Sequence, residues 1–483
     1  MSQEGRGTAG PILPGSRPGD RRVRVGRERP EQFELRSQRR VRRPPTPAVI
    51  LVRGFLLMIA IGTVVLMLPI SSVAGRWTPV VDALFTATSA VCVTGLVVVD
   101  TGTYWSPFGQ VTILVLIQLG GLGFMTASTL LLFVLVGRRT ALRDRVLVQA
   151  SGGATDLASA TVVLRKVALF TTLVEGIGIL LLLAAFLGRG IDPLTSIWWA
   201  VFHGISAFNN AGFDVIGGFR SLTPFSEDAL VLGVVAGLII VGGLGFAIVS
   251  DVVSKRRWSR LALETRLVVL TTAALLASGT IIIGLFEWSN PATLGQLEPV
   301  ERVWNAAFTS VTARTAGFNS IPIGGLLVPS LAVIGALMFI GGASGSTAGG
   351  IKVNTFSLLL ISIISTIRGD QSATALGRRV PDEVVYRALS VTLLAIALVF
   401  LVSLGLALSL ETRFVELVFE AVSAFGTVGL STGVTPDLPD PARLLLTLAM
   451  FAGRLGPLTL VLALAARVRP RPYRPAIESI RIG

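Results

Sequence analysis

The chain has 483 residues, 52% of them hydrophobic and only 14% charged, with a mean hydropathy of +0.74. A soluble domain carries about a quarter charged residues, so the bilayer is the natural solvent here. One cysteine, Cys92, excludes a disulfide within the chain, and a single histidine leaves general-base chemistry little to use.

Residues 1–47 are rich in Gly, Pro and Arg, with twelve arginines in the first 43 positions. They read as a disordered basic cytoplasmic tail. A signal peptide is not indicated, because the first apolar stretch begins at residue 48 and is long enough to span. Segments 48–70, 110–136, 164–187, 229–250, 265–286, 387–410 and 443–465 each approach the roughly 20 apolar residues that cross a bilayer. Runs of this kind are helices, since lipid offers the backbone no hydrogen-bond partners. Basic clusters fall at 137–145, 255–266, 368–379 and 467–474, whereas the loops between them hold only Arg76, Arg189, Arg220, Arg302 and Arg413. This alternation predicts an even number of spans with both termini in the cytoplasm. It assigns the net charge of +14 to loops near anionic headgroups rather than to nucleic acid.

Four short stretches repeat along the chain. Phe85 to Gly95, Phe202 to Gly212 and Phe419 to Gly429 share a Phe ten residues before a Gly and a Ser-Ala beginning six before it. Phe308 to Gly317 is one residue shorter. Each stretch lies between long apolar segments, and the downstream segment carries Gly120-Gly121, Gly242-Gly243, Gly341-Gly342 or Gly453. The predicted unit is helix, short pore helix, extended segment, helix. Four units give an all-α polytopic membrane protein of eight transmembrane helices, pseudo-four-fold about one pore. The repeats are assigned to 48–140, 161–254, 264–367 and 386–468, followed by a cytoplasmic tail at 469–483. The small-residue pairs read as close helix packing.

Irregular backbone at membrane depth is tolerated where it is buried or lines a water-filled cavity. Glycine at the centre of each extended stretch can take the positive φ that turns carbonyls toward one axis, and a ring of carbonyls can replace the hydration shell of an alkali cation. Pore helices aim their partially negative C-terminal ends at the same place. A one-chain, four-repeat cation filter follows. The motifs Thr94-Gly95-Leu96, Asn210-Ala-Gly212-Phe213, Arg314-Thr-Ala-Gly317-Phe318 and Gly426-Thr-Val-Gly429-Leu430-Ser431 resemble the Trk/Ktr/HKT superfamily of potassium transporters, most closely its Ktr-type membrane subunits.

The resemblance covers 48–483 and implies a potassium-binding filter of Val93, Thr94, Gly95, Asn210, Ala211, Gly212, Thr315, Ala316, Gly317, Thr427, Val428 and Gly429. Serine at the first glycine goes with sodium preference in plant relatives, so Gly95 favours potassium. The same resemblance implies potassium uptake at the cell membrane, a homodimer in which Ile480-Arg-Ile-Gly483 packs, and a separate cytoplasmic RCK-type nucleotide-binding regulatory ring. Loops 137–167, 251–266 and 367–385 are the expected docking surface for that ring. No cofactor is expected in this chain. Sodium as an activator stays open.

The third repeat's second helix carries five glycines in residues 341–350, enough to unwind it. Both this composition and the resemblance point to a gate formed by Gly342, Ala343, Ser344, Gly345, Ser346, Thr347, Ala348 and Gly349. Arg454 lies inside the last span, where a charge is expensive, and the resemblance places it beside that loop. Lys352 reads as a cytoplasmic-side anchor. His203 reads as a hydrogen-bonded packing residue, and Cys92 as a small buried thiol. Asp214 and Asn319 either polarise the outer mouth or cap turns. The Gly-Gly-Leu-Gly-Phe strings at 120–124 and 242–246 lack the strand and Lys-Ser/Thr context of a nucleotide loop, so no enzyme is expected. A sodium- or ammonium-permeable channel of the same fold, and the potassium-binding subunit of a pump, are the alternatives.

Overall fold

The computed structural model describes residues 47–137, 155–370 and 372–456. The expected basic tail, most of the 137–167 docking loop, the end of the 443–465 segment and the C-terminal tail with Ile480 to Gly483 lie outside the described residues. Besides the one-turn helix Thr101–Tyr104, thirteen helices of twelve or more residues carry the described chain: α1 Pro47–Met67, α2 Val80–Val91, α3 Pro107–Gly137, α4 Thr155–Gly188, α5 Pro193–Phe208, α6 Ala229–Lys255, α7 Leu263–Glu287, α8 Pro299–Thr312, α9 Val328–Phe339, α10 Val353–Ile367, α11 Asp382–Ala407, α12 Phe414–Gly426 and α13 Asp440–Leu455.

Six of these, α1, α3, α4, α6, α7 and α11, are long and apolar enough to cross a membrane. The third repeat's second helix is split into α9 and α10, of 12 and 15 residues, as its five glycines predict. The fourth repeat's is described for 16 residues, as α13. The six fall into two classes by burial. Only 17–28% of α1, α4, α7 and α11 is buried within the protein, against 56% of α3 and 44% of α6. The first group forms an outer layer whose exposed side chains are mostly apolar, including Leu57, Ile61, Leu173, Leu180, Ile281 and Phe400. An apolar surface on that scale needs lipid rather than water.

The short helices α2, α5, α8 and α12 have 12, 16, 14 and 13 residues, about 18–24 Å at 1.5 Å per residue. They are too short to cross. Two have polar starts that hold their first turns: Asp192 accepts the Thr195 N–H at 3.1 Å, and Glu298 with Glu301 forms a capping box on α8. Their ends are packed by glycine. A Cβ on Gly120, Gly242 or Gly453 would lie 2.0, 1.9 or 1.8 Å from the carbonyl oxygen of Val91, Phe208 or Phe425. Each of those carbonyls sits four residues before a repeat glycine, so these helix glycines seat the second helices against the pore-helix ends. The third repeat breaks the pattern, because Gly341 packs on the Gly349 carbonyl instead.

Neighbouring repeats are tied by side chains. Trp198 Nε1 donates to Gln110 Oε1 at 2.8 Å, and Asn305 Nδ2 to the Ser226 carbonyl at 2.7 Å. Arg443 on α13 pairs with Asp82 on α2 at 2.5 Å, joining the last repeat to the first. A two-residue hairpin, β1 Thr374–Ala375 and β2 Arg378–Arg379, stands in the loop before α11. It turns on Leu376 and Gly377 at φ +49° and +74°.

Candidate functional site: a ring of four glycines above a broken helix

The four repeat glycines meet. A Cβ on Gly95 would fall 2.3 Å from the Ala211 carbonyl oxygen, one on Gly212 2.6 Å from that of Ala316, one on Gly317 2.3 Å from that of Val428, and one on Gly429 2.2 Å from that of Thr94. Each repeat touches the next, and the fourth returns to the first. No side chain fits at any of the four positions. Gly95, Gly212, Gly317 and Gly429 have φ of +89°, +69°, +82° and +95°, a region costly for other residues. Two residues earlier, Val93, Asn210, Thr315 and Thr427 also have positive φ, at +57°, +59°, +75° and +49°. The sign of φ therefore alternates along each strand of the ring, which turns successive carbonyls to one side. Backbone strain of this kind costs about 1–3 kcal/mol per residue and persists where the surroundings enforce it.

The pore-helix ends enforce it. The N–H groups of Thr94, Ala211 and Val428 donate to the carbonyls of Ser89, Ser206 and Ser423 at 2.8, 2.8 and 2.9 Å. The shorter third repeat makes the same bond one residue closer, from Ala316 to Thr312 at 3.0 Å. The matching hydroxyls finish the clamp. Ser89 and Ser423 accept the Gly95 and Gly429 N–H groups, and Ser206 and Thr312 donate to the carbonyls of Phe213 and Phe318 at 2.8 and 2.7 Å. The buried hydroxyls of Thr94 and Thr427 have no hydrogen-bond partner among the described residues.

One side of the ring opens into a cavity of about 440 Å³, lined by all four glycines and by Asp100, Asp214 and Asn319 among others. Asp214 Oδ1 accepts the Ile216 N–H at 3.2 Å, and Asn319 Nδ2 donates to the Ile321 carbonyl at 3.2 Å. Both side chains therefore cap turns while facing the cavity. Burial, then the Asp100 carboxylate, push Asp214 up to about 6.

On the other side lies the break between α9 and α10. The Gly341 N–H donates to the Ile351 carbonyl at 2.8 Å and clasps the ends of the loop. Its middle docks on α6: the Ala343 and Thr347 N–H groups donate to the Gly243 and Gly242 carbonyls at 2.8 and 3.3 Å. Those carbonyls are available because α6 is itself interrupted at Gly245, with φ +75° and ψ 162°. A Cβ there would lie 2.9 Å from Ser346 Cα. The loop also reaches the ring. Thr347 Oγ1 donates to Asn210 Oδ1 at 3.3 Å, and Cβ atoms on Gly349 and Gly341 would lie 1.9 Å from Thr427 Oγ1 and 3.2 Å from Thr315 Cγ2. It thus contacts the left-handed residue of three repeats.

Three cations hold the loop. Fully buried Arg454 donates to the carbonyls of Thr347 and Gly120, the latter at 3.2 Å, with its guanidinium 4.7 Å from the Phe124 ring centre. Arg314 donates to the Gly341 carbonyl at 2.8 Å. Lys352 donates to the Ala348 carbonyl and lies 5.0 Å from the same Phe124 ring. Beyond the anchoring role expected for it, it is turned onto the loop.

Residues 31–470 match the family model of the TrkH cation transport proteins. The chain is 40% identical to Ktr system potassium uptake protein B of Bacillus subtilis over 421 residues, covering 87% of this chain and 93% of that protein. It is 35% identical to potassium/sodium uptake protein NtpJ of Enterococcus hirae, covering 92% and 99%. Its structure resembles that of the potassium transporter TrkH from Vibrio parahaemolyticus at a TM-score of 0.68 and 17% identity, over 89% and 87% of the two chains. The chain belongs to the TrkH cation transport protein family. Its relatives are transporters, not enzymes.

Within this TrkH-family chain, all twelve expected filter residues lie in the four converging strands, and the expected loop residues 342–349 lie between the ring and Arg454. His203 is held by a 2.7 Å contact from Nδ1 to the Trp199 carbonyl among Phe186, Phe202 and Phe318, and buried Cys92 caps the end of α2. Arg314 and Gly245 were missed. Arg314 had a signal, since it is a charge inside an otherwise neutral motif. Gly245 had none, because it sits in a helix already rich in packing glycines.

Proposed function

We propose that the chain takes up potassium across the cell membrane through the four-glycine ring. The reading adopts the eight-span arrangement of four helix–pore-helix–helix repeats, with both termini cytoplasmic. The observation that carries it is the closed cycle of glycine-to-carbonyl contacts, since four inward-turned strands suit a bare alkali cation. The orphaned hydroxyls of Thr94 and Thr427 add oxygen ligands below the carbonyls. The names of the relatives supply potassium as the ion, and Gly95 supports it over sodium.

The loop at 342–349 is the gate and Arg454 its latch. Two carbonyls of the α6 break, with Arg454, Arg314 and Lys352, hold it closed beneath the ring. A cytoplasmic RCK-type ring regulates it by docking on the exposed arginines of 255–260 and on the β1–β2 hairpin, and the protein works as a homodimer. Sodium activates uptake, a reading supported by the name of the Enterococcus relative. Expression in a bacterium lacking its own potassium uptake tests the proposal. Growth on limiting potassium, with uptake competed by rubidium and not by sodium, is the expected result. Rescue by sodium or ammonium alone, or no rescue by a chain present in the membrane, contradicts it.

A further inference from the structure

A buried carboxylate stands behind the ring. Glu175 lies midway along α4, is 6% exposed, and is held by two amides: Gln118 Nε2 donates to Oε2 at 3.1 Å and Asn209 Nδ2 to Oε1 at 3.1 Å. Asn209 also donates to Gln118 Oε1 at 2.7 Å, which closes the triad. Gly121 makes the space for it, since a Cβ there would overlap Asn209 Oδ1 at 1.9 Å. Asn209 is the C-cap of α5 and immediately precedes Asn210, the left-handed residue of the second strand.

This placement breaks the four-fold pattern. The other first helices, α1, α7 and α11, carry acids only at their ends or not at all. Among the described residues, the other buried glutamates are Glu287 and Glu420. Glu287 is held by the Asn290 amide, the Thr293 and Ser330 hydroxyls and the Leu327 N–H, and Glu420 by the Ser431, Thr432 and Thr435 hydroxyls and the Thr432 N–H. Glu175 has no cationic partner among the described residues, and it faces a pore-helix C-terminus that is already partially negative. An intramembrane carboxylate so placed is unfavourable unless positive charge is near. Arg454 donates to the loop and to the Gly120 carbonyl rather than to Glu175, and an ion in the ring would add positive charge on the side of the second strand.

We propose that Glu175 is a counter-charge for the cation in the ring, acting through Asn209 and the second strand, so that it sets how tightly the ion binds. It is a positioning residue and does not touch the ion. The inference rests on the filter reading above. Coupling of this kind is reciprocal: ion occupancy stabilises the carboxylate as much as the carboxylate stabilises the ion. A unit charge roughly 10 Å away at an effective dielectric of about 20 changes an ion's binding constant on the order of tenfold.

The test uses the purified full-length chain in detergent at neutral pH and reads the potassium concentration that gives half of the potassium-induced thermal stabilisation. Glu175→Gln raises that midpoint about tenfold, and Glu175→Asn raises it by a similar factor relative to Glu175→Asp, its charged counterpart of equal length. A purely structural role moves the melting temperature without potassium and leaves the midpoint alone. Midpoints within twofold across either charged–neutral pair overturn the proposal. Gly212→Ser in the same assay separates the two readings. If it leaves the midpoint unmoved, the filter reading fails and this one with it. If it shifts the midpoint and the Glu175 variants do not, only the role of Glu175 fails.

Discussion

Gly95, Gly212, Gly317 and Gly429 each face two separate constraints, a positive φ and a neighbour's carbonyl where a Cβ would stand. The repeated Phe-to-Gly spacing made them legible in the sequence. Their partners two residues earlier were not legible as left-handed, because Val, Asn and Thr share no composition that marks it. Glu175 carried a signal that was passed over, a lone acid inside an apolar span, but its amide partners, 57 and 34 residues away, carried none. Asp214 yields a prediction at this scale. Its carboxyl, pushed up to about 6 by burial and by Asp100, is charged above that pH and neutral below it. Attraction of cations into the outer cavity is therefore present above about pH 6 and fades below. Rubidium uptake at limiting concentration should fall severalfold as external pH drops from about 7 to about 5. Asp214→Asn should start low and lose that acid limb, and an acid limb that survives the substitution contradicts the assignment.

At the scale of elements, the broken helix and its dock explain each other. The glycines of 341–350 were readable as a stretch that cannot hold a helix. What the sequence could not reveal is where the loop would find its hydrogen bonds, because that depends on a second break at Gly245. An unwound segment leaves backbone groups that must be paired, and the interruption of α6 supplies two of the acceptors. The split of the third repeat's second helix into α9 and α10 falls where the five glycines placed the break. Removing residues 343–349 should take away the obstruction and its docking bonds together. Initial rubidium uptake should rise about tenfold, measured in membranes with matched protein levels. Unchanged or abolished uptake in a variant that folds normally contradicts a gate at this position.

For the whole molecule, closure of the ring is the property from which the others follow. The chain is linear, yet its first and last repeats meet at the Gly429–Thr94 contact and again at the Asp82–Arg443 pair. No local sequence signal announces a pairing across 361 residues; it follows only if four copies of one unit share an axis. The outer layer of α1, α4, α7 and α11 then faces lipid and the glycine-rich helices pack inside, as hydropathy and small-residue pairs suggested. If one ion is held by all four strands, no glycine is privileged over another. The decisive measurement is the preference for potassium over sodium in rubidium uptake competition, taken for Gly95→Ser, Gly212→Ser, Gly317→Ser and Gly429→Ser in turn. A shared ring predicts that every one of the four lowers the preference by about tenfold or more. A preference left at the wild-type value by any one of them, in a protein that still transports, would contradict a filter built from all four repeats.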